Sequence, residues 1–314
     1  MGSIGLVGLG KMGLGIAENL LKAGFLKAVY KRTIDEEAKS LEKKGVYIAK
    51  SPEELANKVG HIILSIPNDA VEETIFGNKG LINGLKPESI VADAGNCNPM
   101  QSMSMHDKLK NKRIFFLDVG VSGGPERAKK GTLAVWVGGE KEVYDKFVKI
   151  FNSIGKPQYV GPYGNGHKIK MLHNVMEQAE MESIGEVANL AVSLDLDPKK
   201  VFSIIRDGLV QSHLSDLYLK IPDNEIESRE PNVGGGDYPR MALEIAKDNE
   251  PLPDVAVSYW MREISRASKK DRGKVIEQTI QAIAEELRKL DDDKKFEYGF
   301  KTIGAIRKAF GGHK

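Results

Sequence analysis

Residues 3–13 read SIGLVGLGKMG. The apolar run Ser3 to Val7 stops at Gly8-Leu9-Gly10, and a helical pattern follows from about Met12 to Ala23, with Gly24 placed to end it. Three glycines thus stand as Gly8-x-Gly10-x-x-Gly13 between a strand and a helix. Each has a separate physical task. Gly8 allows the tight turn, Gly10 lets a pyrophosphate approach bare backbone, and Gly13 lets helix pack on strand. The helix start adds free N–H groups and a partial positive charge, which favour phosphate. Leu9, Lys11 and Met12 complete the turn.

The next strand run, Leu26 to Tyr30, ends in Lys31-Arg32-Thr33. An acid at this place would hydrogen-bond a ribose 2′-hydroxyl and repel a 2′-phosphate. None is present. Arg32 can grip a phosphate in a fork and stack on adenine, Thr33 can donate a hydroxyl, and Lys31 adds charge. NADP is therefore the expected cofactor, with NAD as the alternative. His61 to Ile66, Ser89 to Ala92, Phe115 to Val119 and Ala134 to Val137 are further strand runs. Ile66 and Pro67, where one of them ends, are taken as additional cofactor contacts. Ser51-Pro52-Glu53-Glu54 supplies an N-cap, a first-turn proline and a third-position glutamate for an intervening helix. Strands alternating with helices predict a mostly parallel sheet covered on both faces.

From about Asn165 helical periodicity takes over, behind the glycine-rich stretch Tyr163-Gly164-Asn165-Gly166. The expected fold is α/β: a Rossmann-type doubly wound parallel sheet over residues 1–163, then an all-helical substrate and dimerisation domain over 164–314. PNVGGGDYP, residues 231–239, is expected to be a loop. Ile276, Ile280, Ile283, Leu287 and Leu290 form a short seam suited to a core-facing helix.

Composition narrows the classes of function. The 314 residues are 41% hydrophobic, enough for a packed core rather than wholesale disorder. A net charge of +2 makes no electrostatic case for nucleic acid or an anionic membrane, though it allows a local basic pocket. Cys97 is the single cysteine, so no internal disulfide can form, and a cytoplasmic location is expected. No apolar run approaches the roughly 20 residues that span a bilayer, and no export signal is visible. No metal site is expected.

The chemistry-bearing stretch is KMLHNVMEQ, residues 170–178. Lys170, His173, Asn174 and Glu177 fall at i, i+3, i+4 and i+7, on one helix face. Two small-residue segments fit the carboxyl ends of strands, where open α/β sheets bind ligands. One is Asp93 to Pro99, containing Asn96; the other is Asp118 to Gly124, in which Ser122-Gly123-Gly124 exposes backbone N–H groups that can hold a carboxylate.

GLGKMG, KRT, GN, GVSGG and KMLHN with its following glutamate, in this order, resemble a β-hydroxyacid dehydrogenase, and most of all the short form of 6-phosphogluconate dehydrogenase. GHKIKMLHNVME and the terminal Arg307-Lys308-Ala309-Phe310-Gly311-Gly312-His313 carry the closer likeness. The resemblance implies oxidative decarboxylation of 6-phosphogluconate to ribulose 5-phosphate with hydride transfer to NADP. Lys170 would take the hydroxyl proton and Glu177 would protonate the enediol. Asn174 joins them in the catalytic set, and His173 and Asn174 would hold substrate hydroxyls or carboxylate. Asn96 would serve both cofactor and substrate. Arg262 would bind phosphate, and Arg307 and His313 would reach in from a neighbouring subunit, giving a homodimer or homotetramer with shared sites. Two departures stand out. Gln178 occupies the place of a phosphate-binding tyrosine, and Asn232 to Gly236 lacks the family's lysine. Around 268–298 the chain looks like an insertion. Two alternatives follow: another β-hydroxyacid dehydrogenase acting on a different sugar acid or small acid, and a non-catalytic dinucleotide-binding sensor.

Overall fold

A computed structural model of the chain describes residues 3–95 and 98–220. Its elements run β1 (Ile4–Val7), α1 (Lys11–Lys22), β2 (Leu26–Tyr30), α2 (Glu36–Lys43), β3 (Tyr47–Ala49), α3 (Pro52–Lys58), β4 (His61–Leu64), α4 (Asn68–Phe76), a 3-10 turn (Leu81–Asn83), β5 (Ile90–Asp93) and α5 (Pro99–Lys110). They continue with β6 (Phe115–Ser122), α6 (Gly124–Lys130), β7 (Leu133–Gly138), α7 (Lys141–Ile154), β8 (Gly155–Tyr159), α8 (Asn165–Ser193), α9 (Pro198–Ile205) and α10 (His213–Tyr218).

The strands form one eight-stranded sheet in the order β3-β2-β1-β4-β5-β6-β7-β8. All neighbours are parallel except β6 and β7, which pair antiparallel. The order turns back between β1 and β4, and open α/β sheets bind ligands outside the carboxyl ends of such strands. Side chains alternate across the sheet. Ile4, Leu6 and Ile63 join the core under α1, α2 and α7, while Val7, Ile62 and Leu64 join the core under α3, α4 and α5. On α7 the buried residues Val143, Tyr144, Phe147, Ile150, Phe151 and Ile154 recur every three or four positions, as a core-facing helix requires.

The Rossmann-type sheet follows the expected strands with small shifts. β4 stops at Leu64, short of Ile66, because the chain turns after Ser65 donates its N–H to the Val7 carbonyl at 2.8 Å. β6 continues past Val119 to Ser122, paired with β7. β3 and β8 are additional edge strands. Ser51 caps α3 as expected, accepting from Glu54 N at 3.1 Å. Among the described residues no strand follows Tyr159, and α8 to α10 belong with the sheet to one compact unit. The loop at 231–239, the seam at 276–290 and the segment 268–298 lie outside the described residues.

Candidate active site

The glycine turn has the geometry its sequence demands. Gly8 adopts φ +92°, and a Cβ there would sit 2.3 Å from the Ser65 carbonyl oxygen. A Cβ on Gly13 would sit 2.1 Å from the Gly8 carbonyl oxygen, so helix and strand touch backbone to backbone. At Gly10 nothing lies within 4 Å of the same added atom. That open space stands at the start of α1, which carries no side-chain cap and no acid in its first turn. The unpaired N–H groups and the opening fit a dinucleotide pyrophosphate. Leu9 is buried under the turn, Lys11 is exposed and Met12 packs on the core. Ile66 flanks the turn, with Cγ2 2.7 Å from the Cβ position of Gly8, and Pro67 follows as the exposed residue preceding α4.

At the end of β2, Arg32 and Thr33 are exposed, open to a ligand phosphate. Lys31 is committed elsewhere: its ammonium pairs with Asp35, the N-cap of α2, and lies 3.5 Å from the Leu9 carbonyl. The positive charge expected from Lys31 is therefore largely offset by Asp35, and Arg32 is left as the main cation of this corner.

Beyond the switch point, Val7, Leu64, Asp93 and Asp118 are in register across β1, β4, β5 and β6. β6 runs four residues further, and α8 packs against this extension. The approach is close. A Cβ on Gly120 would meet the Gly166 carbonyl at 2.5 Å and Lys170 Cβ at 2.9 Å, and a Cβ on Gly166 would meet the Asp118 carbonyl at 2.3 Å. The glycines around 164–166 therefore serve tight packing. Gly164, at φ +87°, is the N-cap of α8 and offers no side chain; Asp118 supplies the cap from the sheet. Its two carboxylate oxygens accept from Gly164 N at 2.8 Å and His167 N at 3.0 Å. A buried carboxylate at a helix N-terminus is stabilised by these bonds and by the helix dipole.

The polar stripe of α8 faces this packed edge. Asn174 is 3% exposed and Gln178 8%, whereas Leu172 and Met176 between them are 59% and 75% exposed. Burying polar groups costs free energy unless they are bonded, so burial alone would turn this helix the other way. His173 Nε2 lies 3.0 Å from the Ser122 hydroxyl oxygen, and Nδ1–H donates to Asn174 Oδ1 at 3.2 Å. Glu177 Oε2 lies 3.6 Å from His173 Nδ1, and the Trp136 ring centroid lies 5.3 Å from that of His173. Burial pulls the Lys170 ammonium below the ordinary lysine value, and the Glu177 carboxylate opposes the shift.

The structure thus brings Lys170, His173, Asn174, Glu177, Gln178 and Ser122 to one region, with Gly123 and Gly124 in positive-φ conformations directly after Ser122. Asn96, Arg262, Arg307 and His313 lie outside the described residues. Three further residues build the region: Asp118 opens the quoted segment Asp118 to Gly124, His167 lies inside GHKIKMLHNVME, and Ser102 belongs to no motif. None of the three stands out in the sequence for a role of its own. Among the described residues no group of His, Cys, Asp and Glu is arranged to hold a metal ion, and no helix is long and apolar enough to cross a membrane.

A glycine turn at a switch point, followed by a partly buried lysine on a packed helix, is the arrangement of a dinucleotide-binding dehydrogenase, and the family match gives the same class. Residues 3–169, more than half of the chain, match the family described as the NAD binding domain of 6-phosphogluconate dehydrogenase, and the chain belongs to that family, within the β-hydroxyacid dehydrogenases. It is 34% identical over 260 residues to an uncharacterized oxidoreductase, YkwC, of Bacillus subtilis, covering 77% of this chain and 90% of the relative. It is 31% identical over 224 residues to the mitochondrial 3-hydroxyisobutyrate dehydrogenase of Drosophila melanogaster, covering 70% of this chain and 68% of the relative. The crystal structure of 3-hydroxyisobutyrate dehydrogenase (ygbJ) from Salmonella typhimurium shares the fold, with a TM-score of 0.70 and 20% identity over 85% of this chain and 95% of that one. These relatives support the superfamily and do not single out 6-phosphogluconate dehydrogenase, the specific resemblance read from the sequence.

Proposed function

We propose that the protein is an NAD(P)-dependent dehydrogenase that oxidises the hydroxyl of a small β-hydroxy acid, with 3-hydroxyisobutyrate as the reference substrate. The observation that carries this reading is the inward polar face of α8, with Lys170 desolvated against Gly120 at the carboxyl edge of the sheet. The activity named for the Drosophila relative supports this substrate class. Gln178 in place of a phosphate-binding tyrosine agrees with an acid that carries no phosphate.

The dinucleotide would lie along Gly8 to Gly13 and, when bound, supplies the hydride acceptor. Arg32 and Thr33 favour the 2′-phosphate of NADP. Lys170, whose ammonium desolvation disfavours, would accept the hydroxyl proton of the acid in its neutral form as the carbonyl forms. Ser122 and the Gly123-Gly124 backbone hold the carboxylate. Asn174 and His173 orient the hydroxyl-bearing carbon, and Asn96 is a further candidate for it. Arg262, Arg307 and His313 are candidates for the distal end of the substrate, the last two from a neighbouring subunit of a homo-oligomer.

Glu177 favours a second reading, decarboxylation of 6-phosphogluconate. Glu177 lies beside His173 and acts electrostatically on Lys170, and in its protonated form it would return a proton to carbon after CO2 is lost. One panel distinguishes the two. Purified protein is mixed with NADP or NAD and with 3-hydroxyisobutyrate, related 3-hydroxy acids and 6-phosphogluconate, and both reduced nicotinamide and CO2 are measured. Reduction with 3-hydroxy acids and no CO2 supports the first reading. Stoichiometric CO2 from 6-phosphogluconate replaces it with the second. Nucleotide binding without turnover of any acid makes the protein a sensor and refutes both.

A further inference from the structure

His167 is completely buried, at the first turn of α8, one turn before Lys170. Its ring spans two other elements. Nε2 lies 3.1 Å from the carbonyl oxygen of Asp93, the last residue of β5, and Nδ1 lies 2.6 Å from Ser102 Oγ on α5. A carbonyl can only accept, so Nε2 carries a proton, and Ser102 Oγ, which also reaches the Asn98 carbonyl at 3.4 Å, bonds Nδ1; the ring cannot turn without breaking a bond. The backbone of the same residue is held by Asp118. The Asp93 carbonyl leads directly into Ala94 and Gly95, whose N–H groups bond the Leu64 carbonyl and the Asp93 side chain. Through His167, then, the lysine-bearing helix is bolted to the strand end that precedes Asn96.

We propose that His167, locked by Ser102, is a positioning residue that holds Lys170 against β6 by tying α8 to the carboxyl end of β5. The proposal rests on the reading of Lys170 as the proton acceptor. His167 touches neither reacting group; it acts through the rotation and depth of α8. Burial and the Glu177 carboxylate set the lysine's titration. The other titratable groups on the elements around this part of α8 include Asp93 of β5, Asp118 of β6, His106 of α5 and His173 of α8 itself. Letting the helix lift admits water, so the amine moves back toward the ordinary lysine value.

The test uses the full chain with NADP bound, as wild type, His167→Ala, His167→Gln and Ser102→Ala. Competitive labelling of Lys170 with acetic anhydride across a pH series, read by peptide mass spectrometry, follows the amine without any substrate. Turnover of the best acid from the panel is measured alongside. His167→Ala is expected to raise the pH at which Lys170 becomes reactive and to lower kcat by about tenfold to a hundredfold, the effect of misplacing a reacting group by about an ångström. Nucleotide affinity stays unchanged. His167→Gln, whose amide reaches the Asp93 carbonyl, restores most of both, and Ser102→Ala falls between. An unchanged labelling curve and kcat in His167→Ala overturns the proposal. So does a parallel loss of Tm, nucleotide affinity and kcat that His167→Gln fails to restore, since that is the signature of a merely structural residue. If the wild type turns over no acid, the dehydrogenase reading fails by itself, and the labelling curve still decides whether His167 positions the amine.

Discussion

Gly10 and Gly13 should respond in opposite ways to the same added methyl group. In Gly10→Ala the new Cβ meets nothing within 4 Å, and the backbone, at φ −69° and ψ −176°, lies in a region open to any residue. Stiffening the unfolded chain stabilises by about 0.4–1 kcal/mol, and the poorer capping of alanine offsets this by a similar few tenths. The folded protein should therefore keep its Tm. The methyl group instead fills the space into which the pyrophosphate must come. Losing one charge-assisted N–H bond there costs about 1.5–3 kcal/mol, or about ten- to a hundredfold in Kd. In Gly13→Ala the Cβ falls 2.1 Å from the Gly8 carbonyl oxygen, where a carbon–oxygen contact is ordinarily about 3.3 Å. Both partners are backbone, so no rotamer change relieves the clash. Overpacking of this kind costs about 1–3 kcal/mol or more, which lowers Tm by roughly 2–12 °C for a domain of this size. Differential scanning fluorimetry and NADPH titration by nicotinamide fluorescence measure both quantities. Wild-type NADPH affinity in Gly10→Ala would refute the assignment of the open space to the pyrophosphate, and an unchanged Tm in Gly13→Ala would refute the close packing.

Three other outcomes follow from the site. Lys170→Ala should lower kcat by about 10²–10⁴-fold, the span of a general base, while NADPH affinity stays near wild type; retained turnover would remove Lys170 from the chemistry. Oxidation should require Lys170 neutral, so its rate falls as pH drops through the lowered lysine value; since Glu177 raises that value, Glu177→Gln should move the acid limb of the kcat profile to lower pH, and a shift to higher pH would contradict the coupling. Arg32→Gln should weaken NADP by about tenfold or more, with NAD unaffected, because one charge-assisted contact to the 2′-phosphate is lost; equal effects on both nucleotides would place Arg32 away from that phosphate.

The elements most legible in the sequence are those whose local chemistry and tertiary role coincide. The glycine turn is one, because each glycine answers a steric demand visible as 2.1–2.3 Å approaches at Gly8 and Gly13 and as open space at Gly10. α8 is another, because its polar spacing survives as an inward face. β8 is not legible as a strand: Gly155-Lys156-Pro157-Gln158-Tyr159 alternates weakly but opens on glycine and holds a proline, and its strand form comes from pairing at a sheet edge, where proline is tolerated. β3 is three residues on the opposite edge and leaves almost no pattern. The antiparallel return of β7 is likewise a matter of pairing, since strand direction leaves no mark in a run such as Leu133 to Gly138. Around Lys170 the motif named the polar face and missed its foundations. Asp118 and Ser102 act across 49 and 65 residues of chain on His167, through contacts that only the folded sheet creates. The commitment of Lys31 to Asp35 is a local ion pair, yet the choice between that pair and a ligand phosphate is not written in residue type.

The account rests on one geometric claim: that the glycine turn and the inward face of α8 serve a single reaction centre. A crystal structure of the protein with NADP and 3-hydroxyisobutyrate tests it directly. The account predicts the pyrophosphate against Gly10, the acid carboxylate at Ser122 to Gly124, and Lys170 Nζ within about 2.6–3.2 Å of the substrate hydroxyl oxygen. A bound acid that leaves Lys170 buried and out of reach of its hydroxyl would contradict it.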